Sequence, residues 1–256
     1  MFKWQSLDTC YIYDGSFDGL LTIVFDSYLS KTIPSRIVSS EFEMDLFCNY
    51  QTIQTNEEKA KRIYQGIVKN ISYHCLSTAY HVFLSNLPNK EFDIVNFLLL
   101  GFEIGNKIDH FLTNDLVLRM EKTRKRVFGE YHRLCGLLRF IKLKNGMFYA
   151  KIHPDNHVLE LLGHHFIARL PNENFIIHDP TRELALLYNT KEYTIIEAKN
   201  LQVTSLSEEE QYYQDLWNCF YHAIGIKERK NAKLRMQFMP KKYWQDLIEN
   251  VEQNSF

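Results

Sequence analysis

Leu137-Leu138-Arg139-Phe140-Ile141-Lys142-Leu143-Lys144-Asn145-Gly146-Met147-Phe148-Tyr149-Ala150-Lys151-Ile152 is the stretch on which the fold turns. Apolar residues recur at helical spacing before it. Here they change to short aliphatic and aromatic runs on either side of Asn145-Gly146. Asn-Gly in that setting is a strong hairpin signal, because both residues accept the positive φ angles of a two-residue type I′ turn. Further strands are predicted at residues 175–178, 184–188 and 194–197, which would extend the hairpin into a mostly antiparallel sheet. Helices cluster before and after it, so the predicted class is α+β rather than doubly wound.

Working outward toward the N-terminus, residues 10–13 read as a strand broken by Asp14-Gly15-Ser16, and a helix follows from Phe17. Its Leu20, Leu21, Val24 and Phe25 lie on one face. Gly15 and Gly19 beside a helix start could hold an anion, although two glycines do not make a phosphate loop. Residues 46–52 read as a strand. Thr55-Asn56-Glu57-Glu58 has the form of a capping box for a helix bearing Ala60, Ile63 and Ile67. Helical spacing recurs over 76–84, 94–104 and 116–134.

Beyond the hairpin, Pro154-Asp155 should open a helix carrying Val158, Leu161, Leu162 and Phe166. Ser207 with Glu210 forms a second capping box, and Tyr213, Leu216, Trp217, Phe220 and Ile224 make the apolar face of its helix. Pro240 suits the first turn of a terminal helix docked by Trp244, Leu247, Ile248 and Val251. No repeat or linker interrupts the chain. The expected organisation is one compact domain, 1–256, with a helical region over about 55–135, hairpin and sheet over about 136–200, and C-terminal helices over about 207–252.

Composition narrows the function. Of 256 residues, 45% are apolar and 24% charged, which is the balance of a folded globular protein. No apolar run approaches the ~18 residues of a membrane span, and Asp8, Asp14 and Asp18 interrupt the N-terminus where a secretory segment would lie. A cytoplasmic protein with no membrane partner is expected. Cys10, Cys48, Cys75, Cys135 and Cys219 are odd in number and contain no CxxC pair, so reduced and mostly buried thiols are expected.

Formal charge is only -1, but it is segregated. Residues 119–151 hold ten Lys or Arg against Glu121 and Glu130, and residues 227–242 hold seven against Glu228. Such runs create local positive fields that attract phosphate. Arg126, Arg133, Arg139, Arg182, Arg229, Lys230, Arg235, Lys241 and Lys242 are the candidate nucleic-acid contacts, since guanidinium forks match phosphate oxygens and nearby aromatics can stack on bases.

Six of the ten histidines lie between His132 and His178. A divalent ion could use His153 and His157 with His164, His165, His178 and Asp179, but a helix start at Pro154-Asp155 would disperse those ligands, and no metal or other cofactor is predicted. In a metal-free alternative, Asp179 or Glu130 would orient His178 or His132 for proton transfer, with His165 nearby. The catalytic candidates are therefore His165, His178, Asp179 and His132.

Tyr13-Asp14-Gly15-Ser16-Phe17-Asp18-Gly19-Leu20-Leu21, Glu130-Tyr131-His132-Arg133, Leu138-Arg139-Phe140, His165-Phe166, Arg169-Leu170-Pro171, Ile177-His178-Asp179, Arg229-Lys230-Asn231 and 238–244 together resemble an uncharacterised bacterial family assigned to DNA metabolism and DNA repair. Ala232 departs from the proline expected after Arg-Lys-Asn. The resemblance implies a link to a radical-SAM protein, and its domain also occurs fused to uracil-DNA-glycosylase-like domains. It carries no catalytic residues over, and the CxxxCxxC motif of a radical-SAM enzyme is absent from this chain. The expected function is that of a DNA repair or modification factor that binds DNA beside such a partner. A nuclease or base-processing hydrolase and a protein-interaction subunit without DNA affinity are the alternatives.

Overall fold

The computed structural model describes residues 4–39, 49–199, 201, 206–224 and 231–248. They fall into two compact units, Met1–Phe128 and Gly129–Phe256.

The N-terminal unit contains β1 (Gln5–Ser6), β2 (Cys10–Tyr13), α1 (Phe17–Ser30), β3 (Thr32–Ile33), β4 (Arg36–Ser39), β5 (Tyr50–Thr52), α2 (Glu57–Asn70), α3 (Tyr73–Phe83), α4 (Lys90–Ile104) and α5 (Asp115–Leu137) as far as Phe128. β2 is the middle strand of an all-parallel sheet ordered β4-β2-β5, and β1 pairs in parallel with β3. Leu20, Leu21 and Val24 of α1 pack with Ile63 and Ile67 of α2 and Ile94, Leu98 and Leu99 of α4, as helical spacing predicts. Of the strand predicted over 46–52, only Tyr50–Thr52 is seen, and residues 46–48 lie outside the described residues.

Two N-terminal details differ from the sequence reading. The N-cap of α2 is Asn56, whose side chain accepts from the Lys59 N–H at 3.0 Å, because Thr55 instead donates to Asp14 Oδ2 at 2.7 Å. The start of α1 is filled from within. Ser16 caps it by accepting from Gly19 N–H at 2.9 Å, and Asp14 Oδ1 accepts from Ser16 N–H at 3.0 Å. A Cβ on Gly19 would meet Asp14 Oδ1 at 2.5 Å, so this glycine is there for close approach.

The C-terminal unit continues α5 and adds β6 (Ile141–Lys142), β7 (Phe148–Lys151), α6 (Leu159–Arg169), β8 (Phe175–Asp179), β9 (Leu184–Tyr188), β10 (Tyr193–Glu197), α7 (Glu208–Ile224), α8 (Ala232–Phe238) and a 3-10 helix over Lys241–Asp246. The class is α+β, but the expected mostly antiparallel sheet is corrected. The five-stranded sheet, ordered β10-β9-β8-β7-β6, is mixed, because β7 and β8 are parallel while the other neighbours are antiparallel. The cause is α6: it carries the chain from the end of β7 back to the start of β8, as a parallel pairing requires.

The hairpin forms with a different turn. Leu143 N–H donates to Met147 O and Gly146 N–H to Leu143 O, both at 2.9 Å, and only Gly146 of the pair has a positive φ, +84°. The loop is thus three residues closed by a left-handed glycine, rather than a two-residue type I′ turn.

α6 packs on β9 through Gly163, where an added methyl group would overlap the fully buried Leu186. Gly163→Ala is expected to destabilise by about 1–3 kcal/mol through overpacking, against a helix-propensity gain of only ~1 kcal/mol. Urea unfolding checks this, and Leu186→Ala in the same chain should make the added methyl tolerable.

α7 turns the opposite face inward from the one predicted. Glu210 is buried and its Oε2 accepts from Lys142 N–H of the edge strand at 2.7 Å, while Gln214 donates to Glu210 Oε1 at 2.9 Å. Tyr213, Leu216, Trp217 and Phe220 are left exposed. At the C-terminus, Pro240 precedes a 3-10 helix whose Tyr243 is buried, as is Leu247 just beyond it, while Val251 lies outside the described residues. Cys10 and Cys75 are buried thiols, Cys135 is half-buried and Cys219 exposed.

Candidate functional site

The chemistry-bearing residues of the C-terminal unit gather where β7 and β8 end side by side. The parallel register sets Lys151 opposite His178, so His153-Pro154-Asp155-Asn156-His157 leaves one strand beside His178-Asp179-Pro180-Thr181-Arg182 leaving the other. Carboxyl ends of adjacent parallel strands are where α/β folds commonly place ligand sites. The sheet's one parallel pairing therefore puts both motifs at one edge.

Glu130 of α5 organises this edge from below. Its side chain is 2% exposed and accepts five hydrogen bonds: Oε1 from Asp155 N–H at 2.9 Å, Lys242 Nζ at 2.8 Å and Tyr243 O–H at 2.7 Å, and Oε2 from Asn156 N–H at 2.8 Å and Asn156 Nδ2 at 2.7 Å. This explains why α6 begins at Leu159 and not at Asp155. The backbone donors of Asp155 and Asn156 are held by Glu130 instead of facing out from a helical first turn. Burial pushes the Glu130 carboxyl upward, but Lys242, the Asp155 N–H, Tyr243 and the Asn156 N–H outweigh it and bring the group down to about 2.

Lys242 also binds Asp155 Oδ2. Burial opposes its charge, yet Asp155, Glu130 and Tyr243 raise its pKa above the ordinary lysine value. Burial and Glu130 push the Tyr243 hydroxyl up to about 12.

A second clamp closes the edge from β8. Asp179 is fully buried, accepting from Thr181 N–H at 3.1 Å, Arg182 N–H at 3.3 Å and Arg182 Nη1 at 2.9 Å. The same guanidinium donates to the Pro154 carbonyl at 3.1 Å and the Asp155 carbonyl at 2.5 Å. Arg182 is thus bound on several sides by the protein itself, and Lys242 likewise.

His178 is buried with its Nδ1 2.7 Å from the Tyr149 hydroxyl, and its buried Nε2 has no hydrogen-bond partner among the described residues. Burial, and then Lys151, hold its pKa below the ordinary histidine value, so it is neutral near pH 7. Burial and the nearby Asp246 push the Tyr149 hydroxyl up to about 12. Neither Asp179 nor Glu130 bonds to an imidazole, since both are saturated by other donors. The imidazole–carboxylate pair at this edge is His153 Nδ1 with Asp246 Oδ2 at 2.8 Å, both half-buried. It joins residues 93 apart in sequence, so spacing gave no sign of it.

The remaining candidates are dispersed. His165 on α6 lies edge-on to Tyr131 and Phe166, at centroid distances of 6.5 and 4.9 Å. His132 is exposed on α5. Among the described residues no group of three or more His, Cys, Asp or Glu is arranged to hold a metal ion.

Among the predicted cations, Arg126 is exposed on the part of α5 belonging to the N-terminal unit. Arg133 is half-buried and forms no ion pair among the described residues, and its buried Nε has no acceptor. Arg139 donates to the Gly136 carbonyl at 2.9 Å and lies 5.4 Å from the Trp217 ring centre. Arg235 sits between Tyr221 and Trp244 at 5.8 and 4.9 Å, and Lys241 is exposed 5.9 Å from Trp244. Arg229 and Lys230 lie outside the described residues.

Fold and site together define an α+β protein whose mixed sheet ends in an ionic network built on the buried carboxylates Glu130 and Asp179 and bordered by cations and aromatics. The chain belongs to the DUF4130 family, described as a domain of unknown function, whose model matches residues 88–249. No curated protein and no solved structure matches it. No helix among the described residues is long and apolar enough to cross a membrane.

Proposed function

We propose that the protein is a DNA-metabolism factor that binds nucleic acid through phosphate contacts centred on Arg133, acting beside a repair or modification enzyme of the radical-SAM or glycosylase-like kind that the sequence resemblance implies. The observation that carries this reading is Arg133, a half-buried guanidinium with no ion pair among the described residues. A phosphate oxygen bound at the accessible end of the Arg133 guanidinium supplies the missing counter-charge. Next to it on α5, His132 is exposed, and Gly136 has open space around it, so a backbone phosphate can approach the helix closely. Lys241, exposed beside Trp244, extends the cationic and aromatic character. The engagement of Glu130, Asp179, Arg182 and Lys242 with one another and with the backbone around them favours a binding role over acid–base catalysis, because groups held in this way keep a surface in shape.

Arg133→Glu is expected to weaken binding of a labelled oligonucleotide at least tenfold and to lower the slope of log affinity against log salt by about one. Fluorescence anisotropy with single-stranded and duplex probes, over a salt series from about 50 to about 200 mM, reads both. Absence of wild-type binding to either probe, or an Arg133→Glu variant with wild-type affinity, overturns the reading. The His153–Asp246 pair favours one alternative, a nucleic-acid-processing hydrolase in which His153 is the general base. Turnover lost in His153→Ala with binding retained would select it.

A further inference from the structure

α7 and α8 expose apolar side chains of opposite electrostatic surroundings. On α7, Tyr213, Leu216, Trp217 and Phe220 follow the i, i+3, i+4, i+7 spacing of a helix that docks in a groove, and Tyr213 is 58% exposed. Glu208, Glu209, Glu210 and Asp215 are the helix's only charged residues under the formal count, and it contains no Lys or Arg. Bases could stack on its aromatics, but a phosphate backbone would meet carboxylates.

α8 has the complementary character. Leu234 and Phe238 are exposed, the latter by 67%, and the helix carries Lys233 and Arg235 with no acid. The two elements adjoin within one chain, since the Arg235 guanidinium lies 5.8 Å from the Tyr221 ring of α7. The exposed faces are thus an acidic aromatic one on α7 and a basic apolar one on α8.

A pair of such faces is complementary to itself. In a two-fold contact, if α7 of one copy meets α8 of the other, then α8 of the first meets α7 of the second. We propose that the protein forms a symmetric homodimer in which each α7 stripe receives the α8 of the second copy, with Asp215 facing Lys233. The inward polar face of α7 follows from this: the helix keeps its apolar side for the partner because Glu210 already anchors its other side on the edge strand. Two short helices per copy cover less than the ~800 Å² per partner of a standard interface, so micromolar rather than nanomolar association is expected.

Sedimentation equilibrium of the full chain tests this. The wild type should populate dimer on the order of 10 μM, a concentration typical of weak specific interfaces. Phe220→Glu and Phe238→Glu should each raise the dimer dissociation constant at least tenfold, with unchanged far-UV circular dichroism because both side chains are exposed. Asp215→Lys and Lys233→Glu should each weaken self-association by opposing like charges twice. Mixing those two variants should restore a heterodimer, because each contact then pairs opposite charges. A wild type that remains monomeric at about 100 μM, well above that range, or a mixture that stays monomeric, overturns the proposal.

Discussion

Glu130→Ala is expected to destabilise the C-terminal unit by about 3–5 kcal/mol, the usual cost of removing one partner from a buried ion pair. The reason is what remains behind. The Tyr243 hydroxyl and the Asp155 and Asn156 N–H groups lose their acceptor, and Lys242 keeps only Asp155. Those donors come from the loop ahead of α6 and from the C-terminal 3-10 helix, so one carboxylate ties three separate elements together. Glu130→Gln is expected to lie between, since an amide keeps one acceptor but presents its NH2 group to donors.

The same group sets an acid sensitivity. Its folded pKa is depressed to about 2 from an ordinary 4.5, so its contribution is complete above about 4.5 and is lost as pH falls toward 2. That difference corresponds to roughly 3 kcal/mol, in line with the mutational figure. Urea midpoints between pH 7 and pH 3 should therefore fall in the wild type and fall much less in Glu130→Ala. Equal losses in the two would show that the acid sensitivity comes from other carboxylates.

Arg182→Ala should be comparably severe, about 3–5 kcal/mol, because Asp179 has no solvent to turn to and the carbonyls of Pro154 and Asp155 lose their donor. Lysine is a poor substitute. Nη1 reaches both Asp179 and the Pro154 carbonyl while Nη2 reaches the Asp155 carbonyl, a spread that a single ammonium cannot reproduce. Both Arg182 and Glu130 hold residues 154–156, one through carbonyls and the other through N–H groups. The double variant should therefore cost less than the sum of the singles, with a coupling of about 0.5–3 kcal/mol. Strict additivity in chemical unfolding would mean that the two clamps act on independent pieces of backbone.

Several features were legible because they depend only on local chemistry. Asn145-Gly146 marked the hairpin, though the turn itself uses three residues, since only Gly146 takes a positive φ. The S/T-x-x-E patterns at Thr55 and Ser207 marked two helix starts, but not the bonds made there. Asn56 caps α2, and Glu210 spends its carboxylate on Lys142 N–H while Ser207 Oγ has no partner. Arg133, Arg139 and Lys241 stand out in the sequence as members of charge runs. The bonds of Tyr149, Asn156, Tyr243 and Asp246 left no sign in the sequence, because each is made to a partner distant along the chain. Glu130 and Tyr243, for example, are 113 positions apart.

Apolar periodicity, turn residues and the segregation of basic side chains thus determined the α+β class, the order of most elements and the cationic segments, since each follows from contacts within a few residues. The tertiary structure decided what one-dimensional spacing cannot carry. α6 returns the chain parallel and makes the sheet mixed, Glu130 captures backbone donors that would otherwise open a helix, and α7 faces its aromatics outward. Each outcome depends on which distant group satisfies a buried polar atom, and that is fixed only when the chain is folded.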